Sequence, residues 1–258
     1  MEIQIKKAVK AGNSSAVILP RAWLNQEVRI ELIKKTPEII LHDVLNITKK
    51  YIPPEEIIGI YLAGSYARNE ETEESDIDIL IITKDTDKEM IKEGIYSILI
   101  VSEALLMQKL KNNLFPIGQM IKEAIPLLNS AYLKFINIKI TKKNVKWYID
   151  TTQEKIDLVE EFIKKAEKKN KKYLEDRIAY TLILRIRTLY IIEKLAKNKD
   201  YSSKEFTKLI KNKSKNAYSS YLAIKNNSKK TKGIILKDAE ILNIYLKNQL
   251  NNVKKMLK

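Results

Sequence analysis

The chain has 258 residues, room for two modest domains or one with appendages, and 45% of them are hydrophobic, which excludes global disorder. It has no cysteine, which excludes disulfides and thiolate metal sites, and no apolar run approaches the ~18 to 20 residues of a membrane span. The net charge of +16 is uneven: Lys+Arg against Asp+Glu is 7 to 3 in residues 1–35, 11 to 16 in 36–140 and 30 to 13 in 141–258. A strongly basic part beside an acidic one suggests a polyanionic partner such as RNA; lysines coating helices for solubility is the other reading. The first residues, Met1 to Lys7, lack the apolar core of a signal peptide, so a cytoplasmic protein is expected.

Residues 3–33 read as short strands, with period-two segments around Ile3–Ile5, Ala16–Leu19 and Val28–Ile33, bounded by the Gly12-Asn13-Ser14-Ser15 turn and Pro20. The run Gly12 to Arg21, with Gly-Asn-Ser, an apolar strand and Pro before a basic residue, resembles the AbrB-like swapped-hairpin family. That resemblance implies an intertwined homodimer and a possible contact with DNA through residues 1–35, as in transcription factors and antitoxins. So short a segment could not bury enough apolar area alone, so pairing with a second copy is physically reasonable. A small β appendage packed on the next domain is the alternative.

Thr36-Pro37-Glu38 is a helix start, with Thr as cap, Pro in the first turn and an acid beside it, and the helix is expected to reach about Lys50. His42 falls within it as an ordinary helix residue. After Pro53-Pro54, the apolar run Ile57–Leu62 reads as a strand ending in Ala63-Gly64-Ser65. Ten residues later Asp76-Ile77-Asp78 opens a second apolar run to Ile82. Side chains two apart on a strand share a face, so the two carboxylates project side by side. Their mutual repulsion favours a divalent cation between them, and carboxylates shared with phosphates suit Mg²⁺. Gly64, without a Cβ, lets backbone approach a phosphate, and the Ser65 hydroxyl and N–H can donate to it. Arg68 is a further phosphate candidate by position, unless it pairs with Glu71.

An apolar strand, Gly-Ser, about ten residues and Asp-x-Asp on a second strand resemble the signature of the DNA polymerase β-like nucleotidyltransferases. Gly64-Ser65-Tyr66-Ala67-Arg68 is closest to their minimal branch, and the resemblance spans roughly residues 38 to 140. It implies an α/β (α+β) fold with a mixed sheet and transfer of a nucleoside monophosphate from a nucleoside triphosphate to an acceptor hydroxyl. ATP is the commonest donor in that family. Asp76 and Asp78 would be the catalytic, metal-binding pair, with Gly64, Ser65 and Arg68 on the nucleotide. Such enzymes usually carry a third carboxylate on the next strand; here that strand is Ile95–Val101, and the matching position is Ser97. Ser97 cannot take a proton at neutral pH. Either a flanking acid, Glu93 or Glu103, reaches in, or the domain binds nucleotide and turns over poorly.

Asp85–Glu93 is expected to be a short helix, Ser102 to cap a helix through Asn112, and Ile117–Leu127 to form another. From Thr141 the apolar spacing is helical throughout, with one long helix expected to end in the solvated Lys164-to-Lys172 run and others over Leu174–Ala196, after the Ser202-Ser203-Lys204-Glu205 capping box, and near 215–226 and 237–256. Arg185 and Arg187 stand out in the most apolar of these. They either reach phosphates, pair with Asp176 or Glu193, or lie at a bundle edge. The expected domains are an AbrB-like β segment (1–35), a nucleotidyltransferase domain (36–140) and a basic α-helical bundle (141–258). Two functions follow: a nucleotidyltransferase acting on RNA, a partner protein or a small hydroxylated molecule, or a nucleotide-sensing, DNA-binding regulator with a weak transferase domain.

Overall fold

A computed structural model describes residues 4, 6, 8–31, 35–73, 75–227 and 232–257. In chain order its elements are β1 (Val9–Ala11), β2 (Ser14–Ala16), α1 (Pro37–Thr48), β3 (Ile57–Ala63), α2 (Gly64–Ala67), β4 (Ile77–Thr83), β5 (Lys88–Glu93) and β6 (Tyr96–Ser102). There follow α3 (Glu103–Asn112), α4 (Ile117–Lys122), β7 (Ile125–Leu128), α5 (Ser130–Phe135), α6 (Lys142–Lys168), β8 (Tyr173–Leu174), α7 (Asp176–Ala196), α8 (Ser203–Lys213), α9 (Lys215–Lys225), β9 (Ile234–Ile235) and α10 (Leu236–Met256). By its packing the chain divides into two units, Met1–Leu105 with Ala124–Ile136, and Leu106–Glu123 with Asn137–Lys258.

The first unit is organised by a five-stranded sheet in the order β5-β6-β4-β3-β7. It is mixed: β4 runs parallel to β6, while β3–β4, β3–β7 and β5–β6 are antiparallel. The central strands are near-continuous aliphatic runs because both of their faces are buried, with Ile79, Leu80, Ile81 and Ile82 all fully buried. One face packs on α1: Ile60 and Leu62, Ile77, Ile79 and Ile81, and Tyr96, Ile98 and Ile100 meet Ile40, Val44 and Ile47 of the helix. The expected cap on α1 forms, with the Thr36 side chain accepting from the Ile39 N–H at 3.4 Å.

Two elements differ from expectation. Lys88–Glu93, expected within a helix, is strand β5. A two-residue loop, Gly94-Ile95, returns it onto β6, and Gly94 (φ 62°) stands first in that loop, where type II′ hairpins place glycine. The helix-forming lysines and glutamates of β5 are overridden because Ile91 packs on the α1-side core. The helix expected over Ile117–Leu127 stops at Lys122, and Ile125–Leu128 pairs with β3 instead. Pro126 cannot sit inside a helix, and β7 is an edge strand, where a missing N–H is tolerated.

The N-terminal segment is a small antiparallel hairpin, β1 on β2, with Gly12 and Asn13 at its turn. Val17 to Pro20 continue without strand pairing, Arg21–Trp23 form a single 3₁₀ turn, and Val28–Glu31 have no regular structure. The strands expected at Ala16–Leu19 and Val28–Ile33 therefore do not form in one copy beyond Ala16; Ile3, Ile5, Leu32 and Ile33 lie outside the described residues.

In the second unit α6 to α10 enclose one core, centred on Val145, Ile156, Val159, Leu182, Ile186, Leu189, Ile210, Leu242 and Leu246. Thr141 and Asn144 make a reciprocal capping box on α6, and Ser202 and Ser214 cap α8 and α9. One short strand pair interrupts this all-helical stretch, Tyr173–Leu174 against Ile234–Ile235. Among the described residues no helix is long and apolar enough to cross a membrane.

Candidate active site

The site expected from Gly-Ser and Asp-x-Asp assembles where β3 ends and β4 begins. β3 turns directly into α2, and Gly64 makes that turn at φ +69°, a left-handed conformation that other residues reach at a cost. Ala63 is the register partner of Asp78. A Cβ added to Gly64 would lie 2.0 Å from Asp78 Oδ2. Glycine is therefore required twice at this position, once for its backbone angle and once because the Asp78 carboxylate occupies the space a side chain would need. Ser65 and Tyr66 follow, half-buried. Burial, and behind it the negative charge of Glu71, raises the Tyr66 phenol above its ordinary pKa.

Asp76 is exposed and immediately precedes β4, while Asp78 is half-buried as its second residue. The Ile77 N–H between them donates to the Ile95 carbonyl at 2.7 Å, which holds this entry extended. Extended backbone directs residues 76 and 78 to the same side.

Arg68 pairs with Glu70 rather than Glu71, its Nε donating to Glu70 Oε2 at 3.0 Å, and both side chains are nearly buried. The remaining glutamates of this loop divide: Glu71 and Glu73 are exposed, and Glu74 lies outside the described residues.

The strand register settles which acids can stand beside the aspartates. Ser97 of β6 is the register partner of Asp78, so the position where the sequence resemblance implies a third carboxylate holds a buried hydroxyl. Glu93 is paired with Tyr96, one residue out of phase, and therefore points to the α1 face; there Lys50 Nζ holds it at 2.6 Å. Glu103 follows the far end of β6, about 20 Å along the strand from Ser97 at ~3.3 Å per residue, and accepts from the Tyr132 hydroxyl at 2.8 Å. Neither flanking acid substitutes for the missing one. Among the described residues no group of three or more His, Asp or Glu gathers as a metal cage. Among the described residues two aspartates are the carboxylate donors placed at this end of the strands, and hard oxygen donors of that number fit one Mg²⁺ shared with phosphates.

Sequence reasoning missed a buried group on the α1 face. Lys35 Nζ donates to Asp43 Oδ2 at 2.6 Å and to the Tyr96 hydroxyl at 3.1 Å, and Tyr96 in turn donates to Asp43. Burial, followed by Asp43, drives the Tyr96 phenol far above its ordinary pKa. This group ties Lys35, just ahead of the Thr36 cap, and α1 itself to the sheet. No local signal marks it, because its three members are brought together only by tertiary packing.

Arg185 and Arg187 both find partners inside the helical unit. Arg185 donates to Thr151 Oγ1 at 2.9 Å and lies over the Trp147 ring, and burial lowers its pKa. Arg187 donates to the Tyr201 hydroxyl at 3.1 Å and covers that ring. Lys197, not either arginine, pairs with Glu193. His42 is exposed beside Asn46.

The family model of the nucleotidyltransferase domain matches residues 41–181, more than half of the chain. Among solved structures the chain is similar to a nucleotidyltransferase-like protein from Exiguobacterium sibiricum 255-15, at 15% identity over 84% of this chain and 77% of the other, with a TM-score of 0.39. No curated protein matches.

Proposed function

We propose a specific reaction for this chain, which belongs to the nucleotidyltransferase domain family: transfer of a nucleoside monophosphate from a nucleoside triphosphate, ATP foremost, to an acceptor hydroxyl. The observation that carries this reading is the seat of the Asp78 carboxylate directly against Gly64, which puts an anionic metal ligand at the turn where β3 gives way to α2 and Ser65 follows.

In this reading the β- and γ-phosphates sit at Gly64 and Ser65, the glycine by seating the Asp78 metal ligand beside them and the serine by donating its N–H and hydroxyl. Arg68 supplies positive charge nearby; because Glu70 holds its Nε, a phosphate competes with that carboxylate. Mg²⁺ held by Asp76 and Asp78 would neutralise triphosphate charge and align the pyrophosphate leaving group. No carboxylate stands at Ser97, so the acceptor's proton passes to water. Catalysis then rests on positioning and electrostatics rather than on a strong base.

The basic surplus of residues 141–258 supports a polyanionic acceptor such as RNA. The test is incubation with α-labelled nucleoside triphosphates, Mg²⁺ and total RNA or cell extract. Label should appear in an acceptor with the parent and vanish with Asp78→Asn. Equal labelling by that variant would refute the assignment.

A second reading rests on the N-terminal segment. Its apolar side chains Ile18, Leu24 and Ile30 are 70%, 72% and 67% exposed, an arrangement that favours pairing with a second copy over an appendage packed on the next domain. A homodimer contacting DNA through residues 1–35 would make the protein a nucleotide-responsive regulator. Sedimentation tests the dimer: Ile18→Lys with Leu24→Lys should yield a monomer. Salt-sensitive DNA binding lost on deleting residues 1–35, together with nucleotide binding and no transfer, would select this reading over the enzyme.

A further inference from the structure

The register of the sheet brings one more charged residue into line with the aspartates. Ala63, Asp78, Ser97 and Lys92 are successive partners across β3, β4, β6 and β5. Register partners in adjacent strands project to the same face. The phase is fixed independently: Ile91 and Glu93, on either side of Lys92, face α1, where Ile91 packs in the core and Glu93 meets Lys50. Lys92 therefore faces the side of Asp78 and Ser97. It is exposed, and among the described residues no ion pair or hydrogen bond engages its ammonium. Two strand spacings, ~10 Å, separate its Cα from that of Asp78. Its four-carbon stem spans much of that distance, and Ser97 between them is too short to obstruct it.

The order along this row has a chemical direction. With the β- and γ-phosphates at Gly64 and Ser65, the leaving oxygen points towards β3. An in-line displacement brings the attacking oxygen from the opposite side, over β6 and β5. The acceptor oxygen forms its bond to the α-phosphorus as the bond to the β-phosphate oxygen breaks; pyrophosphate leaves with that electron pair, and the hydroxyl proton goes to water. Negative charge grows on the α-phosphate oxygens and the attacking oxygen. Among the described residues no carboxylate of β5 or β6 stands beside them to recruit a second cation, and a lysine does.

We propose that Lys92 is a catalytic residue of this transferase, its ammonium contacting the α-phosphate from the acceptor side in the place where related enzymes carry a third carboxylate. This rests on the nucleotide site described above, and the two can fail separately. The first readout does not need turnover: amine acylation of the full chain, followed residue by residue by mass spectrometry, with and without Mg²⁺ and ATP. Lys92 should be protected in proportion to nucleotide occupancy in the parent, and should lose that protection in Asp78→Asn. The second readout is transfer: Lys92→Met should lower kcat about 100-fold, the scale for one lost oxyanion contact, with KM for the nucleotide changed far less. Lys92→Arg, which keeps the charge, should recover much of the loss. Lys92 equally reactive at saturating ATP, or a Lys92→Met enzyme with parental kcat, overturns this inference while leaving the aspartate site standing. A parent that binds no nucleotide overturns both.

Discussion

The two faces of the five-stranded sheet are built from the same strands, yet they make different surfaces. The α1 face is closed: aliphatic side chains meet a helix, and its polar members, Lys35, Asp43 and Tyr96, satisfy one another. The other face begins, at the same end, with Asp78, Ser97 and Lys92. One residue of register separates the two, since Ile77 and Tyr96 on the closed face are the chain neighbours of Asp78 and Ser97 on the other. The lesson is that a strand can be specified for stability and for chemistry at once, because its period of two keeps the requirements on opposite sides.

That contrast can be broken at either face. The largest effect should come from Asp78→Asn, which removes a metal ligand without changing shape. Transfer should fall about 1,000-fold, several kcal/mol of lost charge stabilisation. The fold should be kept, because the side chain keeps its shape, which far-UV circular dichroism checks. Next, Ile79→Ala opens a cavity on the closed face and should cost about 3 kcal/mol in denaturant unfolding. The surviving folded fraction should keep its nucleotide affinity.

Gly64→Ala sits where the two kinds of effect meet. The added methyl must displace the Asp78 carboxylate, so transfer should drop about 100-fold, as for a ligand misplaced by roughly 1 Å. The left-handed backbone should cost about 1–2 kcal/mol of stability as well. The smallest effect concerns Tyr61, on the Asp78 face but deep within it, whose hydroxyl donates to the Asn129 carbonyl and whose pKa burial pushes up to about 12. The unfolded chain releases that proton near pH 10 while the folded chain keeps it, so stability present below pH 10 is lost as pH rises towards 12. Unfolding free energies from urea titrations across that range should fall less steeply in Tyr61→Phe than in the parent, by about 1–2 kcal/mol at the alkaline end.

Much of this sheet was legible from the chain alone. Continuous aliphatic runs marked β3, β4 and β6, and their junctions with Gly-Ser and Asp-x-Asp placed the candidate site at one strand end. β5 was not legible, because Lys88–Glu93 is rich in helix formers and its strand state depends on pairing with β6. The Gly94 loop was the available signal, as Pro126 was for β7. The fate of Glu93 could not be read at all. It needs the phase of β5 against β6, which a single strand does not carry. The same phase hid Lys92. In the helical unit, caps and apolar spacing sufficed for the long helices, whereas the partners of Arg185 and Arg187 come from other helices and leave no local trace.

The central claim is that one end of one sheet face, carried by Asp76 and Asp78, binds a nucleoside triphosphate with Mg²⁺. Calorimetric titration of a non-hydrolysable ATP analogue, with and without Mg²⁺, into the parent and Asp78→Asn tests it most directly. The account predicts saturable, Mg²⁺-dependent binding to the parent and none to the variant, with both folded alike by circular dichroism. Binding of equal affinity in the two proteins, or binding indifferent to Mg²⁺, would contradict it.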